Sequence, residues 1–108
     1  MQYRSMQKTG EELPTPGLGC MRLLKKQDRK IDEGAAITTI RHAIRSGVSY
    51  IYYAWIYHDG DNERVVGKAL EGKWRKDTFL VTKLPSWEVT SREEMDQYLK
   101  EVSTLFGR

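Results

Sequence analysis

One cysteine, three prolines, two histidines and no long apolar run set the first limits on what these 108 residues can be. Cys20 alone cannot form an internal disulfide, and one thiol with the separated His42 and His58 cannot build a zinc cluster. No His–Glu pair stands at metal-ligand spacing, so no metal site is expected. The opening MQYRSMQKTG has no apolar run behind a basic start, and no signal peptide is expected there. No stretch approaches the ~18 apolar residues that a membrane helix requires. The expected compartment is the cytoplasm, with no membrane partner. Charge of one sign is also scarce: 18 basic residues stand against 15 acidic ones, a net +3. Lys25, Lys26, Arg29 and Lys30 make the one basic run, which reads as a solvated loop. Nucleic-acid binding would call for a basic stripe with interleaved aromatics, so none is expected.

What is present is enough for one small core. Three Trp, six Tyr and two Phe supply the large side chains that a folded chain of this length needs. Residues 1–16 read as a short strand and turn, a hairpin region, with Lys8-Thr9-Gly10 as the turn signal. Gly17-Leu18-Gly19-Cys20-Met21 suits a short buried strand whose glycines allow close approach to the backbone. A helix is expected from about Asp32, as N-cap, to Arg45. Ala36, Ile37, Ile40, Ala43 and Ile44 form its core face, and Gly47 ends it. Val48 to Ala54 reads as a strand apolar on both faces, as a parallel strand should be. A second helix follows at about Glu63 to Glu71, with Asn62 as cap, Val65, Val66, Ala69 and Leu70 inward, and Gly72 closing it. Thr78 to Leu84 is the third strand. Ser91 and Glu94 form a capping box, opening a helix whose inner side carries Met95, Leu99, Val102 and Leu105 or Phe106. This β-α alternation predicts an α/β fold with a parallel sheet and right-handed crossovers, with no repeats and no interdomain linker.

Three features could carry chemistry. Lys83 lies near the C-terminal end of an apolar strand, where active sites of parallel α/β folds sit. It could equally reach solvent on its own stem. Tyr57 follows the second strand on the same rim. A phenol of unperturbed pKa ~10 is a poor acid at neutral pH, but a nearby ammonium favours the phenolate and eases proton donation. Tyr57 with Lys83 could thus protonate a carbonyl oxygen as a hydride arrives at its carbon. The competing reading is packing, because Tyr50, Tyr52, Tyr53, Trp55 and Tyr57 crowd eight positions. The third feature, Gly17-x-Gly19, is a weak signal, since Arg22 breaks the G-x-G-x-x-G pattern. No nucleophile elbow and no P-loop occur.

The segments MQYRSMQKTGEELPTPGLGCMRL, AIRSGVSYIYYAWIYHDGDNERVVGKAL and FLVTKLPSWEVTSREEMDQYL resemble the opening of aldo/keto reductases. They are most similar to the prokaryotic branch with a Gly-x-Gly-Cys-Met-Arg segment near the start. The resemblance spans essentially the whole chain. It implies an oxidoreductase that reduces carbonyls to alcohols with NADPH, on an eight-unit (β/α) TIM barrel with a hairpin plugging its bottom. Such barrels take about 250 residues. Residues 1–108 are therefore expected to form one N-terminal fragment, an incomplete (β/α)8 TIM barrel. Residues 1–16 would be the hairpin region and 17–108 about three βα units, truncated after the third.

The resemblance also implies roles. The general acid falls on Tyr57 and the lysine on Lys83. Gly19, Cys20 and Met21 match the segment near the nicotinamide end of NADPH. The aspartate that pairs with the lysine falls on Tyr52, which cannot play that part, and Tyr53 replaces the neighbouring threonine. The family histidine belongs to a fourth strand not included in these residues. Without the aspartate, a desolvated lysine drifts toward neutrality and stops depressing the tyrosine pKa. Tyr52 would also fill part of the space meant for nicotinamide or substrate. Gln7 and Pro16 stand where glycine and an aliphatic residue are expected. The chain alone is thus expected to be weakly active or inactive. Two alternatives are a split reductase completed by another chain and a non-catalytic module binding a protein through its open sheet face. On that face Val48, Tyr50, Tyr52, Phe79 and Val81 would meet water or a partner, and the strand edges invite self-association. Copies of a three-unit piece cannot add up to a normal barrel, since three does not divide eight.

Overall fold

The computed structural model describes residues 1–54 and 61–106. The polar turn around Gly10 folds the first residues back on themselves, and β1 (Tyr3–Ser5) pairs antiparallel with β2 (Glu12–Pro14). Three parallel strands follow: β3 (Leu18–Gly19), β4 (Tyr50–Tyr52) and β5 (Phe79–Val81), in that spatial order. The α/β class and the parallel sheet agree with the sequence reading. The regular strands are shorter than Val48–Ala54 and Thr78–Leu84, because ladder pairing is confined to Tyr50–Tyr52 and Phe79–Val81.

Helix α1 (Glu33–Arg45) begins where Asp32 accepts a hydrogen bond from the Ala35 N–H, 3.2 Å away, as an N-cap should. It ends in a Schellman motif. The Val48 N–H donates to the Ala43 carbonyl and the Gly47 N–H to the Ile44 carbonyl, with Gly47 at φ 95°. Helix α2 (Asn62–Ala69) is shorter and lies against α1. Arg41 of α1 joins the two, its guanidinium donating to the carbonyls of Ala69 (2.9 Å) and Lys68 (3.3 Å) at the end of α2. Glu33, Arg64, Lys68 and Asp61 add an exposed ion-pair network of small energetic weight.

Register decides which strand residues meet the helices. Leu18, Ile51 and Leu80 are cross-strand neighbours on the covered face and pack with Ile40, Val65 and Val66. Full burial of one such aliphatic side chain contributes about 1.5–3 kcal/mol. Tyr50, Tyr52, Phe79 and Val81 share the opposite face. Tyr52 is exposed there and the others, like Val48, are half-buried. The family-implied open face is therefore present, and among the described residues the three strands do not close into a barrel.

Two expectations need correction. Asn62 is not the cap of α2. It is the first helical residue, fully buried, and Asp61 stands at the cap without a capping side-chain bond. Helix α3 (Arg92–Phe106) is also less embedded than its apolar spacing suggested. Phe106 is buried and Val102 is packed on the core, but Met95, Leu99 and Leu105 are exposed. The reason is that α3 contacts α2 on one side and has no further helix on the other among the described residues. Its predicted capping box does form. Ser91 Oγ accepts from the Glu94 N–H at 3.3 Å, and the Glu94 carboxylate reaches the Thr90 N–H at 2.6 Å. Among the described residues no helix is long and apolar enough to cross a membrane.

Candidate functional site

The C-terminal ends of β3, β4 and β5 bring together Gly19, Tyr52 and, just past β5, Lys83. Parallel strands deliver these positions to one rim because each βα unit repeats the same chain direction. The Tyr52 side chain folds across β3. A Cβ placed on Gly19 would lie 2.5 Å from the Tyr52 hydroxyl oxygen and 2.7 Å from Cζ, so only glycine leaves room for the ring. On its other side the Lys83 ammonium sits 5.8 Å from the Tyr52 ring centroid, within cation–π range. Tyr52, expected at the family's aspartate position, thus joins Gly19 to Lys83 through its ring rather than through a carboxylate.

The neighbouring backbone is tightly fixed. The Cys20 N–H donates to the Tyr52 carbonyl at 2.9 Å, and the Tyr53 N–H to the Val81 carbonyl at 3.0 Å. Asn62 Nδ2 donates to the Cys20 carbonyl at 2.7 Å across 42 residues of sequence. This bond ties the start of α2 to the end of β3, and sequence reasoning missed it. The signal was a small amide directly before the charged pair Glu63-Arg64, read as a cap.

Cys20 and Met21, both matched to the family's nicotinamide segment, part ways. The Cys20 side chain is fully buried in the core, and burial pushes its thiol up to about 12. Met21 is 57% exposed. Tyr57, the expected general acid, lies outside the described residues.

Behind the rim sits a carboxylate that the sequence reading did not single out. Glu63 is buried, and burial pushes its pKa up, opposed by the Thr82 hydroxyl, which donates to Oε1 at 3.3 Å. Its charge adds to the burial that raises the Tyr53 phenol. Glu63 and Thr82 floor a hollow of about 280 Å³ walled by Leu84, Pro85, Met95 and Leu99. Among the described residues no group of three His, Cys, Asp or Glu could hold a metal ion.

The residues present do not fit a nicotinamide in the way the family resemblance implies. The open face of Gly19, which a flat ring would need, is taken by the ring of Tyr52.

Comparison with known proteins bears on all of this. A model of the aldo/keto reductase family matches residues 17–107. The aldo-keto reductase YhdN of Bacillus subtilis (strain 168) is 36% identical over 81 residues, 75% of this chain and 24% of that protein. The methylglyoxal reductase YeaE of Escherichia coli (strain K12) is 33% identical over 97 residues, 89% of this chain and 33% of that protein. The chain therefore matches about a quarter to a third of the length of these relatives. The crystal structure of an aldo-keto reductase from Klebsiella pneumoniae in complex with NADPH superposes with a TM-score of 0.78 at 23% identity, over 99% of this chain and 36% of that one. That likeness speaks to the fold: the hairpin and three βα units correspond to part of a complete barrel.

Proposed function

Because the chain belongs to the aldo/keto reductase family, we propose that it carries the opening units of a carbonyl-reducing, NADPH-dependent fold in a form that does not reduce carbonyls alone. One observation carries the reading: the Tyr52 ring lies between Gly19 and Lys83. In the family chemistry, an ammonium held charged by a carboxylate lowers the pKa of the tyrosine that protonates the carbonyl oxygen. Lys83 is exposed, so water keeps its ammonium charged, and what the ring changes is the space: it covers the glycine beside which the hydride donor would lie. The residues that would act are Tyr57 as general acid and Lys83 as its electrostatic partner, with Gly19, Cys20 and Met21 lining the cofactor. The Tyr52 ring stands against Gly19 and Lys83. The substrate class is a small carbonyl compound, and the relative named for methylglyoxal reduction makes that aldehyde a suitable probe.

The test is calorimetric titration of the purified chain with NADPH, beside a Tyr52→Asp variant, followed by NADPH oxidation assays with methylglyoxal. The expected result is neither saturable binding nor turnover by the unmodified chain. Saturable binding with turnover by that chain would overturn the proposal. Saturable binding gained only by Tyr52→Asp would identify the ring as the block.

A second reading is that the chain acts as a protein-binding module or as one subunit of a split reductase. Among the described residues β3 and β5 each leave one strand edge unpaired, which favours it.

A further inference from the structure

Among the described residues, the segments that follow the two edge strands of the parallel sheet carry opposite charge. β5 is one edge and β3 the other. Past the C-terminal end of β5 the chain turns into α3, and over this stretch Glu88, Glu93, Glu94 and Asp96 stand exposed against Lys83 and Arg92. Leu84, Trp87, Met95 and Leu99 lie among them, each 38% to 66% exposed. Past the C-terminal end of β3 lies the segment 21–31. It exposes Arg22, Lys25, Lys26, Arg29 and Lys30 against Asp28, with Met21 and Leu24 exposed beside them.

That basic segment is an ordered arm. Lys25 and Ile31 form an antiparallel bridge, the Lys26 N–H donates to the Lys30 carbonyl at 2.8 Å, and Asp28 accepts from the Lys30 N–H at 3.0 Å. Leu23 and Ile31 anchor its base in the core. It was read from sequence as a solvated loop. It is solvated, but it presents its charges from a fixed frame.

We propose that these segments are complementary surfaces, and that a second copy of this chain docks head to tail, its β3 edge beside β5. The proposal is independent of the reductase reading. In such a pairing the incoming strand keeps the parallel sense of the sheet, so the C-terminal ends of β5 and of the incoming β3 lie level. The basic arm of one copy then meets the acidic start of α3 of the other, and Met21 and Leu24 face Met95 and Leu99. Two-fold dimers are the commonest oligomers, but here charge opposes them. A β5-to-β5 dimer sets acidic helix against acidic helix, and a β3-to-β3 dimer sets basic arm against basic arm. Only the heterologous arrangement joins unlike charges at both partners. The edges are two and three residues long, so the contact is a reversible one in which electrostatics set the partner.

The test is sedimentation velocity of the whole chain from about 1 to about 300 µM, the range in which weak contacts report. At low salt the mean mass should climb above 12.6 kDa with concentration. Raising NaCl from about 50 mM to about 500 mM should weaken association about tenfold or more, as the charges are screened. Lys25→Glu with Lys26→Glu should leave a monomer. Glu93→Lys with Asp96→Lys should do the same, while a mixture of the two variants should form a 1:1 complex. Helical circular dichroism of each variant separates lost contact from lost fold, and the salt series on the unmodified chain needs no variant. A monomer at every concentration overturns the proposal and leaves the edges to a different polypeptide. A dimer whose strength ignores salt overturns it as well.

Discussion

Helices α2 and α3 pose the same question to solvent and receive different answers. Both are amphipathic at helical spacing. α2, with eight residues, buries Asn62, Val65, Val66 and Ala69, whereas α3, with fifteen, buries Phe106 alone among its large side chains. Neither composition nor period explains the contrast. α2 lies between α1 and α3, while among the described residues α2 is the one helix that α3 packs closely against. Burial belongs to the neighbourhood as much as to the pattern, and an apolar stripe states only what a helix is able to bury.

The sharpest way to break this comparison is to remove the anchor of α3. The Phe106 ring lies 5.0 Å from the ring of Tyr53 and is 7% exposed. Phe106→Ala should cost about 3–5 kcal/mol if the helix docks through that contact. Amide hydrogen exchange should then accelerate across 92–106 and stay slow in α1. Uniform acceleration would mean that α3 and α1 open as one unit. Next in size is a matched pair of truncations. Ile40→Ala, at a fully buried position of α1, should cost about 2–5 kcal/mol in urea melts. Leu99→Ala, at a 66% exposed position of α3, should stay within about 0.5 kcal/mol of the parent. Equal losses would show that the exposed stripe of α3 is covered in solution.

The same contrast explains what could be read in advance. The parallel α/β order, α1 with its Asp32 cap and Gly47 stop, and the Ser91–Glu94 box were all legible, because each rests on local chemistry within four or five residues. The burial of α3 was not, since it depends on what flanks the helix. Asn62 was misread for a related reason. As an amide beside a helix start it has the composition of a cap, and only the fold shows that the Cys20 carbonyl lies within its reach. At the candidate site, the resemblance singled out Lys83, Tyr52 and Gly19 one by one, and it is the parallel register that brings them to one rim. The ring of Tyr52 filling the space over Gly19 is a tertiary fact that a pairwise alignment of residues cannot carry. The identity of Tyr57 as general acid rests on the resemblance, because it lies outside the described residues.

Titration offers a smaller and cleaner contrast between core and surface. Burial holds the Cys20 thiol up near 12, against an ordinary value of 9.0. The unfolded chain ionises that thiol above pH 9.0 while the folded chain keeps the proton. The stability it lends is therefore complete below pH 9.0 and is lost as pH rises toward 12. Each retained proton costs about 1.4 kcal/mol per pH unit within that window. Tyr53, also raised by burial, acts with the same sign at higher pH. The urea midpoint should fall between pH 9 and 11, and Cys20→Ala should flatten the first part of the fall. A thiol reagent at pH 8 should label Cys20 only after denaturant is added. Rapid labelling of the native chain would show that the β3 end of the core opens to solvent.

The smallest expected effect compares the two helix starts directly. Asp32 accepts from the Ala35 N–H, and Ser91 accepts from the Glu94 N–H, so the same capping chemistry opens α1 and α3. Asp32→Ala and Ser91→Ala should each cost the helix about 1 kcal/mol. The two losses should nevertheless be read differently by global unfolding. α1 supplies Ala36, Ile40 and Ile44 to the core, so its cap is coupled to the whole fold and the full loss should appear in the urea midpoint. α3 is held mainly near its far end, so its first turn can fray without unfolding the sheet. The Ser91→Ala loss should appear instead as faster hydrogen exchange over 92–96, with a smaller shift of the midpoint. Equal midpoint shifts would place α3 in the same cooperative unit as α1, and the difference between the helices would then be one of exposure alone.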